Sequence, residues 1–226
     1  MKWTEELERL FKRNNHPESS ELSTNSGITT SVLTKSEQCD NFNLKVLVIT
    51  DTHGCLSSDE IPIGSNADVC FLLGDFSYED LMIIKENVID MPIYGVLGNH
   101  DSFDLYQRAG IDNIHGRVVD VDGVKVAGFQ GSLRYKNSNF PFYDDDESVD
   151  IADCIDRADI LISHDSPKYL HGDEDWAHSG LQGITYYCEK WNVSLNIHGH
   201  FHECSEHYMQ NGTKSICCYG VQLIDI

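Results

Sequence analysis

Apolar residues along this chain gather into short runs whose period changes from one stretch to the next. Leu44–Thr50, Val69–Leu73, Ile93–Leu97, Ile160–Ser163 and Ser194–Ile197 are brief, aliphatic or β-branched, and nearly unbroken. Such runs predict strands covered on both faces. Between them, Tyr78–Asp90, Ser102–Ala109 and Gly180–Lys190 carry apolar residues at helical spacing. Arg117–Val121 and Val124–Phe129 flank Asp122-Gly123, a dipeptide that predicts a tight hairpin turn. From Cys204 to Ile226 the pattern reads as a meander of strands, with Asn211-Gly212 as a second hairpin turn. Strand and helix alternate first, and strands dominate at the end. The pattern predicts an α/β fold of two packed mixed β-sheets flanked by helices.

Residues before this region read differently. Trp3, Leu7, Leu10 and Phe11 fall on one helical face. A short helix over residues 1–13 is expected, followed by a linker rich in Ser, Thr, Asn and Glu. The chain therefore divides into an N-terminal helix and polar linker, residues 1–43, and a folded domain, residues 44–226. The helix is expected to dock on the domain's own surface, with a protein partner for residues 1–13 as the other reading.

Charge narrows the function classes. With 16 basic and 37 acidic residues the formal net charge is −21. Such a surface repels phosphate backbones and argues against a long nucleic-acid partner. It leaves room for a small phosphorylated substrate at a locally positive centre. No apolar run is long enough to span a bilayer. The opening Met1-Lys2-Trp3-Thr4-Glu5-Glu6 puts charges where a signal peptide needs an apolar stretch, so no membrane association and a cytoplasmic location are expected. The eight cysteines are then expected as reduced thiols, most of them small core residues. No Cys-x-x-Cys pair suggests a zinc ribbon, and Cys204 is an outlying candidate ligand just after His202.

The chemistry-bearing residues sit where predicted strands end: Asp51-Thr52-His53, Gly74-Asp75, Gly98-Asn99-His100-Asp101, His164 and Gly199-His200-Phe201-His202. In open α/β folds, ligands bind at the carboxyl ends of strands. Asp51 and His53 are spaced to reach one ion, although a surface pair reads the same way. Asp75 could bridge two ions or simply cap a turn. Asn99 offers a neutral amide oxygen, His100 can face a substrate, and Asp101 can orient the His100 ring. A turn built by Asn and Gly gives the same tetrapeptide. His164 closes an apolar run, as many satisfied polar residues do. His200 and His202, two apart after a buried strand, form a common metal-binding pair.

Taken in order, these clusters resemble the calcineurin-like metallophosphoesterase superfamily, whose pattern is Asp-x-His, Gly-Asp, Gly-Asn-His-Asp/Glu, a later His and Gly-His-x-His. The resemblance covers roughly Leu44 to Ile226 and suggests a small bacterial- or phage-type member. It implies a four-layer sandwich and a binuclear centre. In that centre Asp51, His53, Asp75 and His202 hold one ion, and Asp75, Asn99, His164 and His200 hold the other. His100 matches the catalytic histidine. The resemblance departs at Gly74-Asp75-Phe76-Ser77-Tyr78, which lacks the second acid often found there.

The expected function is a metal-dependent phosphoesterase acting on a phosphodiester or a phosphomonoester, by attack of a hydroxide that bridges two divalent metals. Mn, Fe, Zn and Ni all suit the donor set, with Mn favoured. Arg134 is a candidate phosphate contact, with a surface arginine as the equal reading, and His178 a candidate lining of the site mouth. The alternatives are a non-catalytic scaffold of the same fold that binds a protein partner, and a protein phosphatase or nuclease. The acid run Asp144-Asp145-Asp146-Glu147 is expected as a solvated loop leading into a helix rather than a metal site.

Overall fold

The computed structural model describes residues 42–62, 64–172 and 176–226, so the helix expected over residues 1–13 and the linker up to residue 41 lie outside the described residues. In chain order the strands are β1 (Lys45–Thr50), β2 (Val69–Leu72), β3 (Ile93–Gly95), β4 (Asp112–Asn113), β5 (Val118–Val121), β6 (Val124–Phe129) and β7 (Ser132–Leu133). They continue as β8 (Phe142–Tyr143), β9 (Ile160–Ser163), β10 (Leu195–His198), β11 (Ser205–Tyr208), β12 (Lys214–Cys217) and β13 (Gly220–Asp225). The α-helices are α1 (Tyr78–Asn87), α2 (Leu105–Ala109), α3 (Asp145–Asp153) and α4 (Gln182–Trp191).

Two large sheets form the frame. The first has the order β13-β1-β2-β3-β4 and the second β11-β12-β10-β9-β6-β5. Strands β1 to β4 run parallel, as do β6, β9, β10 and β12. Antiparallel strands close the edges, with β13 on β1, β5 on β6 and β11 on β12.

Three apolar layers hold this frame together. Val46 and Val48 of β1 point between the sheets, where they meet Phe71, Val96, Val126, Ile160, Ile162 and Ile197. Leu47 and Ile49, one residue out of phase, lie under α1 and α2 with Leu81, Ile84 and Tyr106. Ala127, Phe129 and Leu161 do the same under α3 and α4, against Ala152, Ile184 and Tyr187. The layers therefore run helix, sheet, sheet, helix. Each central strand buries both faces, and each aliphatic side chain contributes roughly 1.5–3 kcal/mol. That is why these runs are unbroken rather than alternating.

The C-terminal meander is only half right. β11 and β12 form the expected hairpin across Asn211-Gly212, but β13 leaves that sheet and pairs with β1. Leu44 and Ile226 exchange backbone bonds of 3.0 and 2.9 Å there. The crossing covers an otherwise open edge of the first sheet and seats Ile224 and Ile226 against the inter-sheet core. The acid run is part of a helix: Asp144 caps α3, and its amide donates to Glu147 Oε2 at 2.9 Å. Among the described residues, no helix is long and apolar enough to cross a membrane.

The loop after β1 is tied to α1 by one buried carboxylate. Asp80 accepts from Thr52 Oγ1 (2.7 Å), Gly54 N (2.7 Å), Leu56 N (3.1 Å) and Ser77 N (3.1 Å). Removing it strands several donors at once. Asp80→Ala should lower the unfolding free energy by about 2–4 kcal/mol in a denaturant titration. An unchanged midpoint would show that these bonds are replaced by water at no cost.

Candidate metal centre

Every residue singled out as a metal ligand lies in the loop that follows a parallel strand, within four residues of its end. Asp51 and His53 lie in the loop after β1, Asp75 after β2, and Asn99 after β3. His164 follows β9, while His200 and His202 follow β10. The first four come from one sheet and the last three from the other, so the group forms where the carboxyl ends of both sheets meet. Backbone bonds fix the loops to each other: Asp51 N donates to Gly74 O and His53 N to Asp75 O, both at 3.0 Å. Across the sheets, His200 N donates to Asp51 Oδ2 at 3.0 Å.

The side chains converge. Nε2 of His53 and Nε2 of His202 are 3.2 Å apart, and His202 Nε2 is 3.5 Å from Asp51 Oδ1. Asp75 Oδ2 is 3.9 Å from His53 Nε2 and 3.7 Å from His164 Nε2. Ligand atoms each about 2.0–2.2 Å from one ion stand roughly 3.0–3.5 Å from one another. The observed spacings therefore suit two cation positions on either side of Asp75 Oδ2. One lies among Asp51, His53 and His202, the other among Asp51, Asp75 and His164 with Asn99 Oδ1 beside them, and the His200 ring centroid is 4.9 Å from that of His164.

Hydrogen-bond accounting tests whether cations fit. The Asp51 Oδ2 atom accepts from Thr50 Oγ1 (2.6 Å) and His200 N, whereas its Oδ1 is buried with no hydrogen-bond partner. The His164 Nδ1–H donates to Leu73 O at 2.7 Å, which leaves a lone pair on Nε2. That lone pair faces Asn99 Oδ1 at 2.8 Å, and the amide is held in this orientation because its Nδ2 donates to Tyr135 Oη at 3.2 Å. Two acceptors at this distance repel unless a proton on Nε2 or a cation beside them relieves it. His200 Nε2 faces Ala177 O at 3.2 Å, so its Nε2–H donates and a lone pair is left on Nδ1. Orphaned oxygen, paired acceptors and second-nitrogen anchoring all agree with a divalent metal pair.

The electrostatics point the same way. Burial alone would lower the His164 pKa, but the Asp75 and Asp51 carboxylates and the Leu73 carbonyl raise it above the ordinary histidine value. His200 is driven well below that value, by burial first and by His164 second. A field that attracts positive charge at His164 is the field that holds a cation.

The backbone is strained here. Asp51 (φ 54°), His53 (48°), Asp75 (62°), His200 (72°) and His202 (52°) all occupy the left-handed region. Each such residue costs of order 1–3 kcal/mol and persists only where its surroundings over-determine it. Close approach also explains two glycines. A Cβ on Gly98 would collide with the Asp75 carboxylate, and one on Gly199 with the Thr50 hydroxyl and Asp51 Oδ2.

The remaining predicted residues divide. His100 lies beside the centre: its amide donates to Asp75 Oδ1 at 2.8 Å and its ring is 5.6 Å from that of His53. Burial lowers its pKa against the pull of Asp75, with Lys136 and His53 adding to the lowering, so the ring is neutral near pH 7. His178 stacks at a tilt 4.8 Å from His200. Asp101 does not orient His100. Its buried carboxylate accepts from Gly98 N (2.7 Å), Asp75 N (2.9 Å) and Phe76 N (2.9 Å), tying two ligand loops together. Burial and the nearby Asp75 push its pKa up to about 6. Arg134 is likewise corrected as a phosphate contact, because its guanidinium is engaged by Asp144 (3.1 Å), Glu147 (2.8 Å) and Phe142 O (2.7 Å). The residues missed were its neighbours: Tyr135 on Asn99, and Lys136, whose charge reaches His100. The run Arg134-Tyr135-Lys136 was the available signal, read at the wrong member.

Comparisons with known proteins bear on the family and the fold. A family model described as calcineurin-like phosphoesterase matches residues 44–204. A protein of Haemophilus influenzae described as uncharacterized is 25% identical over 202 residues, which covers 70% of this chain and 83% of the relative. The crystal structure of phosphopantetheinyl hydrolase from Mycobacterium tuberculosis superposes with a TM-score of 0.57 at 11% identity, covering 80% of this chain and 95% of that one. It establishes a shared fold. NAD nucleotidase from Haemophilus influenzae reaches 0.47 at 15% identity, over 78% of this chain and 44% of that one.

Mn²⁺ should raise the thermal midpoint of the metal-stripped protein, by an increment equivalent to about 2.7 kcal/mol at a metal concentration one hundred times the Kd. A chelator should reverse the shift, and Asp75→Ala should lose most of it. Equal shifts in wild type and Asp75→Ala would place the bound metal elsewhere.

Proposed function

The chain belongs to the calcineurin-like phosphoesterase family, and on that premise we propose that it is a metal-dependent hydrolase of a small phosphodiester or phosphomonoester, the diester favoured. One observation carries the reading: Asp75 Oδ2 lies 3.9 Å from His53 Nε2 and 3.7 Å from His164 Nε2, within reach of both cation positions, as a shared carboxylate would be. Mn, Fe, Zn and Ni suit this oxygen and nitrogen donor set, with Mn favoured. Two divalent ions held there would supply Lewis-acid charge and lower the pKa of a water toward neutrality.

The chain's own residues do the rest. Asp51, Asp75 and Asn99 contribute oxygens, and His53, His164, His200 and His202 contribute nitrogens, with the His164 and His200 rings already oriented by the Leu73 and Ala177 carbonyls. His53 and His202 are partly exposed, with side-chain accessibilities of 37% and 49%, so substrate approaches over them. His100 stands at that opening with a neutral ring, poised to donate an N–H hydrogen bond to a phosphoryl oxygen. Lys136, exposed at the same side, adds positive charge for an anionic substrate. Tyr135 keeps the Asn99 amide turned toward His164. Asp101 and Asp80 act through the loops they tie and touch no substrate.

His100→Ala should retain its metal and lose roughly 10²–10⁴-fold in turnover of p-nitrophenyl phosphate and its bis-ester, assayed with Mn²⁺. Wild-type turnover in that variant, or turnover that survives exhaustive chelation, would overturn the reading. Lys136→Ala should raise KM for these anionic substrates while Arg134→Ala leaves it unchanged. The reverse pattern would restore Arg134 as the phosphate contact.

A further inference from the structure

We propose that His171, His198 and Cys217 form a separate, thiolate-containing zinc site behind the Gly199–His202 loop, distinct from the carboxylate-bridged pair. One ligand atom from each of the three lies within 4.8 Å of the others. Topology brings two of them together: His198 ends β10, Cys217 ends β12, and the two residues are register partners on parallel neighbouring strands. His171 arrives from the segment after β9, and its ring is clamped flat against Phe201 at 4.0 Å and 25°. His198 and Cys217 are buried, and the His171 side chain is only 6% exposed.

Ring orientation carries the argument. The His198 Nδ1–H donates to the Gly199 carbonyl at 3.1 Å, and His171 Nδ1 is paired with Glu203 Oε1 at 3.3 Å. Both Nε2 lone pairs are thereby aimed at each other, 3.3 Å apart. Metal-bound histidines are held in this way, with the second nitrogen anchored on a carbonyl or carboxylate. Two imidazole nitrogens about 2.0–2.1 Å from a tetrahedral zinc are separated by roughly 3.3–3.4 Å. Cys217 supplies the third ligand. Its Sγ lies 3.8 Å from the Gly199 carbonyl, which accepts a hydrogen bond from the thiol S–H in the metal-free protein. Zinc binding forms the Zn–S bond and releases that proton to solvent, leaving one tetrahedral position for water. Two nitrogens and a sulfur select zinc over the harder ions suited to the carboxylate centre. The site's consequence is mechanical. It fixes the start of the loop that carries His200 and His202 into the other centre.

The test uses cobalt as a spectroscopic stand-in for zinc, on metal-stripped full-length protein whose carboxylate centre is first saturated with Mn²⁺. That centre has no sulfur ligand, so a cobalt–thiolate charge-transfer band reports this site alone, whether or not the protein hydrolyses phosphoesters. One equivalent of Co²⁺ should produce the band, and Zn²⁺ should displace it. Cys217→Ser should abolish it and Cys204→Ser should retain it. Glu203→Gln should weaken cobalt affinity about 10–100-fold. Should Cys217→Ser fail to fold, loss of the band in His171→Gln serves in its place. Absence of a thiolate band in the wild type, or its persistence in Cys217→Ser or His171→Gln, overturns the proposal.

Discussion

Two carboxylates, Asp51 and Asp75, are each 2% exposed at the meeting point of the sheets. Among the described residues, their ion-pair partners are histidines. The chain as a whole carries −21, so no general excess of positive charge relieves them. Removing an ion from water costs several kcal/mol even after relaxation, and a neutral imbalance of acceptors returns little of it. The left-handed residues around them add of order 1–3 kcal/mol each. The three apolar layers offset these costs, and bound cations would remove their source. The fold is best understood as a rigid frame that holds an incomplete electrostatic arrangement open for metal.

Four acidic residues near the parallel strand ends show how the arrangement discriminates. Asp80 and Asp101 are as buried as Asp51 and Asp75, yet their oxygens are occupied by donors, among them three backbone amides each. Asp51 Oδ1 has no donor, while Asp75 gives one oxygen to the His100 amide and turns the other toward imidazoles. Residue type and burial do not separate a ligand from a loop staple. The count of backbone amides does.

That distinction marks the boundary of what the sequence reveals. The central strands were legible because both of their faces are covered, which forces unbroken apolar runs at Leu44–Thr50 and Val69–Leu73. The candidate ligands were legible as a group because each sits shortly after such a run. The role of Asp101 was not, since it depends on amides contributed by Gly98 and by the separate Asp75–Phe76 loop. Arg134 was misread for the same reason: its partners Asp144 and Glu147 are created by the start of α3. The crossing of β13 to β1 leaves no local signature, because a strand's pattern does not name its neighbour. His171, His198 and Cys217 share no motif, and only strand register and a loop bring them into one cluster.

The claim on which the account turns is that Asp75 is shared by two ions. Anomalous diffraction from crystals grown with Mn²⁺ measures this directly. Two peaks about 3.5–4 Å apart should flank Asp75 Oδ2, one within reach of Asp51, His53 and His202 and the other within reach of Asn99, His164 and His200. A lone peak that Asp75 does not touch, or no peak among these residues at saturating metal, would contradict it.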